Sequence, residues 1–197
     1  MTTFTTAYFP SIRYMARFVT AEHPEIEIWE TYHKQTSRNR CFVMTANGVE
    51  ALSVPVKKVN GNHTMTKDIV LSTVESWQQT HRRCLESAYK ASPYFDHYFD
   101  YLAPVFSQRH ERLIDLNDTA LNAVLKIMKI NKVITHTNDY RHEVDEDLRD
   151  AFLKHTEAPL PPYYQVFSEK FPFEPDLSIL DLIFNLGPES LAYLKAI

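Results

Sequence analysis

The chain reads as a single α/β domain spanning residues 1–197. A mixed sheet comes mainly from its N-terminal half, and helices from the middle and C-terminal parts cover that sheet. Three observations predict this. β-rich runs crowd the region before Ser72. Two of them, "RCFVMTA" and "VEALSVPV", meet at Asn47-Gly48, a pair that tolerates positive φ and suits a tight hairpin. From Ser72 onward the apolar residues recur at three and four instead of two, the period of helices.

Taken in order, "TTAYFPS" opens with strand-like residues and stops at Pro10. "SIRYMARFV" follows with Ile12, Met15, Ala16 and Val19 at helical spacing and Ser11 as N-cap. "EIEIWE" alternates as a strand does, the hairpin spans about 40–56, and "DIVLST" is a further strand. Ser72-Thr73-Val74-Glu75 has the pattern of a capping box, opening a helix from about Glu75 to Ala91. Ser92-Pro93 starts the next helix, "YFDHYFDYLAPVF", with Phe95, Phe99, Leu102 and Phe106 as one stripe. "DTALNAVLKIMKI" is a third helix, and "HTNDYRHEVDEDLRD" is a polar surface segment. "EAPLPPYYQ" favours extended backbone. A second capping box, Ser178 with Asp181, starts "LSILDLIFN", and Pro188 opens the last helix after Gly187. No internal repeat or low-complexity segment occurs.

Composition excludes several classes. No run of 18 apolar residues exists, so no membrane span is expected, and "MTTFTTAYFPS" lacks the basic head and apolar core of a secretory signal. Cys41 and Cys84 are too few for a disulfide framework or a cysteine zinc site, which makes a cytoplasmic location the expectation. Three glycines, Gly48, Gly61 and Gly187, cannot supply a clustered phosphate loop. Nine histidines include no HxH or HExxH pair, so neither metal nor cofactor is expected. No GxSxG elbow is present, and Cys84 reads as a small buried hydrophobe.

Charge is unevenly spread. The net charge is −4, yet residues 31–67 carry a local balance of +5 against −9 for the remainder. Such asymmetry suggests either an anion site or a solvated basic face. In "YHKQTSRNRC", Arg38 and Arg40 point to one side if the backbone is extended, and two guanidinium forks can grip a diphosphate or carboxylate. Lys34, Gln35 and Asn39 lie close enough in sequence to add donors. The alternative is that each arginine pairs with a carboxylate of the acidic remainder. The basic window is short and lacks interleaved aromatics, which argues against nucleic acid.

On the helix near Glu75, Trp77, His81, Leu85, Ala88 and Tyr89 share a face by their spacing. His81 is then either a satisfied core histidine or a general base at a cleft floor. Glu86 is either the i,i+4 partner of Arg82 or a carboxylate facing a substrate amine. His136, His142 and His155 sit in polar surroundings and read as solvated.

"TAYFPSIRY", "YHKQTSRNRCFVMTANGVEALSVPV", "WQQTHRRCLESAYKASPYFDHY" and "PYYQVFSEKFPFEPDLSILDLIFNLGPESL" together resemble the WbqC-like family, in its short form common in Bacteroides-type bacteria. One departure stands out. The family usually carries Trp after the histidine of its "HWRS" segment, where this chain has Arg82, while His81 and Arg83 are kept. The resemblance implies a role in surface polysaccharide precursor synthesis of the O-antigen type. For some members an acyl or aminoacyl transfer to an amino sugar is suggested.

The expectation is therefore an enzyme, a transferase with His81 and Glu86 as catalytic candidates, holding an anionic nucleotide sugar or sugar phosphate. Tyr8, Lys34, Gln35, Arg38, Asn39, Arg40, Arg83 and Tyr89 are the candidate substrate-binding residues. The alternative is a non-catalytic sugar-phosphate-binding or assembly protein that uses the same surface.

Overall fold

A computed structural model describes residues 1–73 and 76–197 of the chain. It is mixed α/β. The central strand β1 (Thr2–Thr5) pairs in parallel with β2 (Pro24–Glu27) on one side and with β7 (Glu146–Leu148) on the other. Helix α1 (Ile12–Thr20) links β1 to β2, the crossover that a parallel pair needs. Ser11 caps α1, its hydroxyl accepting from the Tyr14 N–H at 3.3 Å. Phe4 of β1 packs on Tyr14 and Phe18 of α1 at ring distances of 5.1 and 5.4 Å, which seats the helix on the sheet.

The hairpin forms as its turn residues require. Strands β3 (Arg40–Thr45) and β4 (Gly48–Ser53) pair antiparallel, with Arg40 opposite Ser53 and Thr45 opposite Gly48. Gly48 takes φ +103°, a conformation that side-chain-bearing residues avoid. A short pair follows, β5 (Val56–Lys57) with β6 (Val70–Leu71). The capping pattern at residues 72–75 lies partly outside the described residues. Helix α2 is described from Trp77 to Tyr89, and its buried face carries the expected Trp77, His81, Leu85, Ala88 and Tyr89.

Two expectations are corrected here. The single helix expected over "YFDHYFDYLAPVF" is broken into α3 (Phe95–Tyr98), a 3₁₀ turn (Phe99–Leu102) and α4 (Ala103–Ser107). Pro104 explains the break, because it has no N–H to continue the ladder and its ring crowds the carbonyl four residues back. The polar segment 136–150 is no simple surface loop, since it supplies β7. Glu27 is fully buried there, accepting from the Thr137 hydroxyl at 2.8 Å and the Arg141 N–H at 2.9 Å, with an Arg149 guanidinium nitrogen 3.6 Å away. Strand edges buried by charge pairs carry no apolar periodicity, so pattern reading passes over them.

Helix α5 (Leu113–Ile127) lies in the core, followed at the C-terminus by α6 (Ile179–Leu186) and α7 (Ser190–Ala196). Ser178 caps α6 through the Leu180 N–H at 3.3 Å. Asp181 does not complete the box. Its carboxylate turns inward to Tyr163 and Gln165.

Candidate functional site

The three parallel strands end at Thr5, Glu27 and Leu148, and the segments that follow them meet at one end of the sheet. Two backbone hydrogen bonds tie them: Tyr8 N–H to the Ser37 carbonyl at 2.9 Å, and Ser37 N–H to the Leu153 carbonyl at 2.8 Å. Between them lies a cavity of about 20 Å³, the space of one water molecule, bordered by Phe9, Arg40, Phe42, His155 and Asp176. Ligands of open parallel sheets bind at this end, outside the carboxyl termini of the strands.

Two of the bordering residues hold unusual backbone. Phe9 and Asp176 both lie in the left-handed region, at φ +42° and +53°, although neither is glycine. Each conformation costs about 1–3 kcal/mol and persists only where the surroundings over-determine it. Here they are held by a cross-linked pair of helix starts. The Ile12 N–H donates to the Leu177 carbonyl at 3.0 Å, the Ile179 N–H to the Pro10 carbonyl at 2.8 Å, and the Ser178 hydroxyl to the Phe9 carbonyl at 3.1 Å. The Arg13 N–H donates to Asp176 Oδ1 at 2.8 Å. These N-terminal N–H groups of α1 and α6 are thus satisfied by the protein itself, and an anion in the cleft depends on cationic side chains.

The basic stretch divides. Arg38 is fully buried beside Glu30, with Nε 2.8 Å from Oε1 and a terminal nitrogen 2.7 Å from Oε2. The second contact is ionic in distance but lies off hydrogen-bond geometry. Thr5 donates to the same Glu30 Oε1 at 2.5 Å. Arg38 is therefore a core ion pair, and the expectation of two free forks on one side is corrected to one. Arg40 is that one. Its Nε donates to Ser53 Oγ at 2.8 Å, and among the described residues it makes no ion pair. It shares a face of β3 with Phe42, whose ring meets the His155 ring at 5.1 Å across the cleft. Both arginines still act on Tyr32: burial raises that phenol to about 12, against the lowering pull of Arg38 and Arg40.

The remaining expected binding residues scatter. Asn39 is buried and donates to the Val54 carbonyl at 2.9 Å, while Tyr89 is fully buried with its hydroxyl accepting from the Met44 N–H at 3.2 Å. Lys34 and Gln35 lie on an exposed loop, and Arg83 is exposed on α2. Glu86 pairs with Arg82 at 3.1 Å on the helix surface, so its expected meeting with a substrate amine gives way to the plain i,i+4 pair. Tyr8 borders the cleft with its backbone, but its hydroxyl points to His81 Nδ1 at 3.0 Å.

His81 is only 4% exposed. Its other hydrogen-bond partner is the backbone of Ser53, and burial is the main cause that lowers its pKa from 6.5 to about 4. Tyr8 at Nδ1 and the nearby Ser53 backbone, together with its burial, place the ring among core groups. The general-base expectation is thus replaced by a satisfied core histidine, because the apolar face of α2 packs too closely to leave a cleft floor.

The sequence reading passed over the other side of the cleft. His155 is not solvated. Its Nε2 lies 2.8 Å from Glu174 Oε1 and its Nδ1 3.3 Å from the Asp176 carbonyl. Asp176 is buried and its carboxyl is raised above the ordinary range by that burial. Lys154 is exposed at the rim. The one available signal was the crowding of His155, Glu174 and Asp176 around a proline-rich connection.

Larger hollows of about 510 and 610 Å³ lie on the helical side, the first floored by Phe99 and Phe106 and edged by Gln78, Gln79 and Arg82. They collect no buried titratable group, so the smaller strand-end cleft is the better seat for chemistry. Among the described residues, no cluster of three His, Cys, Asp or Glu side chains is arranged to hold a metal ion, and no helix is long and apolar enough to cross a membrane.

Comparison with known proteins agrees with the motifs. The model of the WbqC-like protein family matches residues 6–158. An uncharacterised protein of Mycobacterium tuberculosis, Rv1507c, is 27% identical over 218 residues, covering 95% of this chain and 91% of its own. No solved structure matches. All three strand-end segments, from Tyr8 through Arg40 to His155, fall within the family match, and the chain belongs to the WbqC-like protein family.

Proposed function

We propose that the protein serves surface polysaccharide precursor synthesis, with the rim of the strand-end cleft engaging the phosphate of a nucleotide-linked amino sugar or sugar phosphate whose bulk lies outside the one-water cavity. Arg40 carries this reading. Among the described residues it is the guanidinium of the basic stretch left without a carboxylate, and it stands at the carboxyl ends of the three parallel strands. A fork of this kind suits phosphate oxygens, and Lys154 at the rim adds a second positive charge. Across the cavity, Asp176, buried and bonded to the Arg13 N–H, supplies negative charge that favours the amine end of the sugar. A cleft with cations on one side and a carboxylate on the other complements a ligand carrying both phosphate and amine.

The reaction is acyl or aminoacyl transfer to that amine, as the family resemblance implies. Attack by the amine on the carbonyl carbon of an activated acyl donor, a thioester or acyl phosphate, forms the amide C–N bond. The donor's C–S or C–O bond breaks to expel the thiolate or phosphate, and one proton is freed from the amine. At the cleft both His155 ring nitrogens are engaged, by Glu174 and by the Asp176 carbonyl, and we assign the proton to the Asp176 carboxyl, which burial raises above the ordinary range. The same observation supports the second reading, non-catalytic binding. A thermal-shift panel of nucleotide sugars, with inorganic pyrophosphate included, tests the shared claim. A ligand at 100 times its Kd raises stability by about 2.7 kcal/mol. No shift with any member of the panel contradicts both readings.

A further inference from the structure

No helix or strand lies between β7 and α6, yet this stretch is fixed by side chains that lead from the core to the cleft. Asp181, in the first turn of α6, is fully buried. Its carboxylate is met by the hydroxyls of Tyr163 and Tyr89 and by Gln165 Nε2 at 2.9 Å, with no cation among its partners. The Gln165 carboxamide does two things more. Its Nε2 donates to the Glu174 carbonyl at 2.9 Å, and its Oε1 accepts the Glu174 N–H at 3.0 Å. One side chain thus satisfies both backbone groups of residue 174, as a neighbouring strand would. Glu174 in turn places its carboxylate 2.8 Å from His155 Nε2, and the His155 ring packs on Phe42, two residues along β3 from Arg40.

We infer that Gln165 is a positioning residue for the strand-end cleft: anchored by Asp181, its carboxamide holds Glu174 in the place that orients His155. This rests on the reading of that cleft as the ligand site. The family match ends at residue 158, so the wall that orients His155 comes from chain beyond it. A purely structural glutamine would affect stability alone. A positioning glutamine also changes the His155 ring and the Glu174 amide, which no change in melting temperature can mimic.

The test is NMR on the full chain, with the His155 ring signal assigned from its loss in His155→Gln. Gln165→Met keeps the length and removes the carboxamide's hydrogen bonds to Asp181, to both backbone groups of Glu174 and to the Tyr163 hydroxyl. The expected result is exchange of the Glu174 amide at least tenfold faster, with the His155 ring signal displaced in the same direction as in Glu174→Gln. Should Gln165→Met fail to fold, Asp181→Asn removes only the anchoring charge and is expected to displace the same signal by a smaller amount. A His155 signal that Glu174→Gln moves, but that neither Gln165→Met nor Asp181→Asn moves, overturns the inference. Titration of pyrophosphate into the same samples separates this from the ligand-site reading. Absence of binding by the unaltered protein counts against the site, while the His155 signal decides the role of Gln165.

Discussion

Arg38 and Glu30 form a two-point ion pair inside the protein, with neither guanidinium nor carboxylate open to a ligand. The Asn117 amide donates to the Arg38 carbonyl at 2.8 Å and to Thr6 Oγ1 at 3.0 Å, so the pair also binds α5 to the end of β1. Removing one partner leaves the other charged and buried, at a cost of about 3–5 kcal/mol. Arg38→Met is expected to lower the unfolding free energy obtained from urea titration by that amount, with a matching fall in midpoint, and Arg38→Met combined with Glu30→Leu to recover much of it. A midpoint unchanged in the single variant would contradict the assignment of Arg38 to the core.

His81 should behave as a core group in its pH dependence. Its folded pKa of about 4 lies below the unfolded 6.5, so the unfolded chain takes up the proton first as pH falls. Its contribution is present above pH 6.5 and is lost between 6.5 and 4, about 3 kcal/mol in all. His81→Gln is expected to fold and to flatten that decline in chemical denaturation curves at pH 7 and pH 5. Equal declines in both proteins would return His81 to an exposed setting.

Asp181 has the opposite sign. Burial lifts its carboxyl from 3.8 to about 6, so the folded state binds the proton more tightly than the unfolded chain. Its ionisation penalty grows as pH rises from 3.8 to 6 and stays constant above, about 3 kcal/mol at most. Asp181→Asn is expected to be as stable as the parent, or more so, at pH 7.5, and to lose that advantage at pH 4.5. Marked destabilisation at pH 7.5 would mean that the Tyr163, Tyr89 and Gln165 donors outweigh the cost of the buried charge.

Glycines separate two kinds of backbone demand. Gly48 and Gly187 both have positive φ, but a Cβ at Gly48 meets open space, whereas one at Gly187 falls 2.5 Å from the Tyr94 ring. Gly48→Ala is expected to cost about 1–2 kcal/mol from backbone conformation alone. Gly187→Ala adds steric displacement and should cost about 3 kcal/mol or more. Comparable thermal midpoints for the two variants would contradict the close approach at Tyr94.

What was legible in the sequence is local. Asn47-Gly48 specifies its hairpin and Ser11 its helix cap within a few residues, and the period of α2 names its inward face. Pro104 is a local signal for the break in the single helix expected from the aromatic stripe alone. The cleft was not legible, because its walls are separated by more than a hundred residues and meet through backbone bonds such as Ser37 to Leu153. Charge alone could not separate Arg38 from Arg40, since their difference is a carboxylate eight residues before one of them. His155 looked solvated because its partners, Glu174 and Phe42, come from distant chain.

The central claim is that Arg40 at the strand ends grips the anionic part of a sugar ligand. Calorimetric titration of the nucleotide sugar that gives the largest thermal shift tests it most directly, using the unaltered protein, Arg40→Gln and the exposed control Arg83→Gln. Arg40→Gln should keep its melting temperature within a few degrees, because among the described residues its side chain bonds to Ser53 alone. Its Kd should rise at least tenfold, the 1.5–3 kcal/mol of a hydrogen bond to a charged group. Arg83→Gln should bind as the parent does. Equal affinity in the parent and Arg40→Gln, with both folded, would contradict the account.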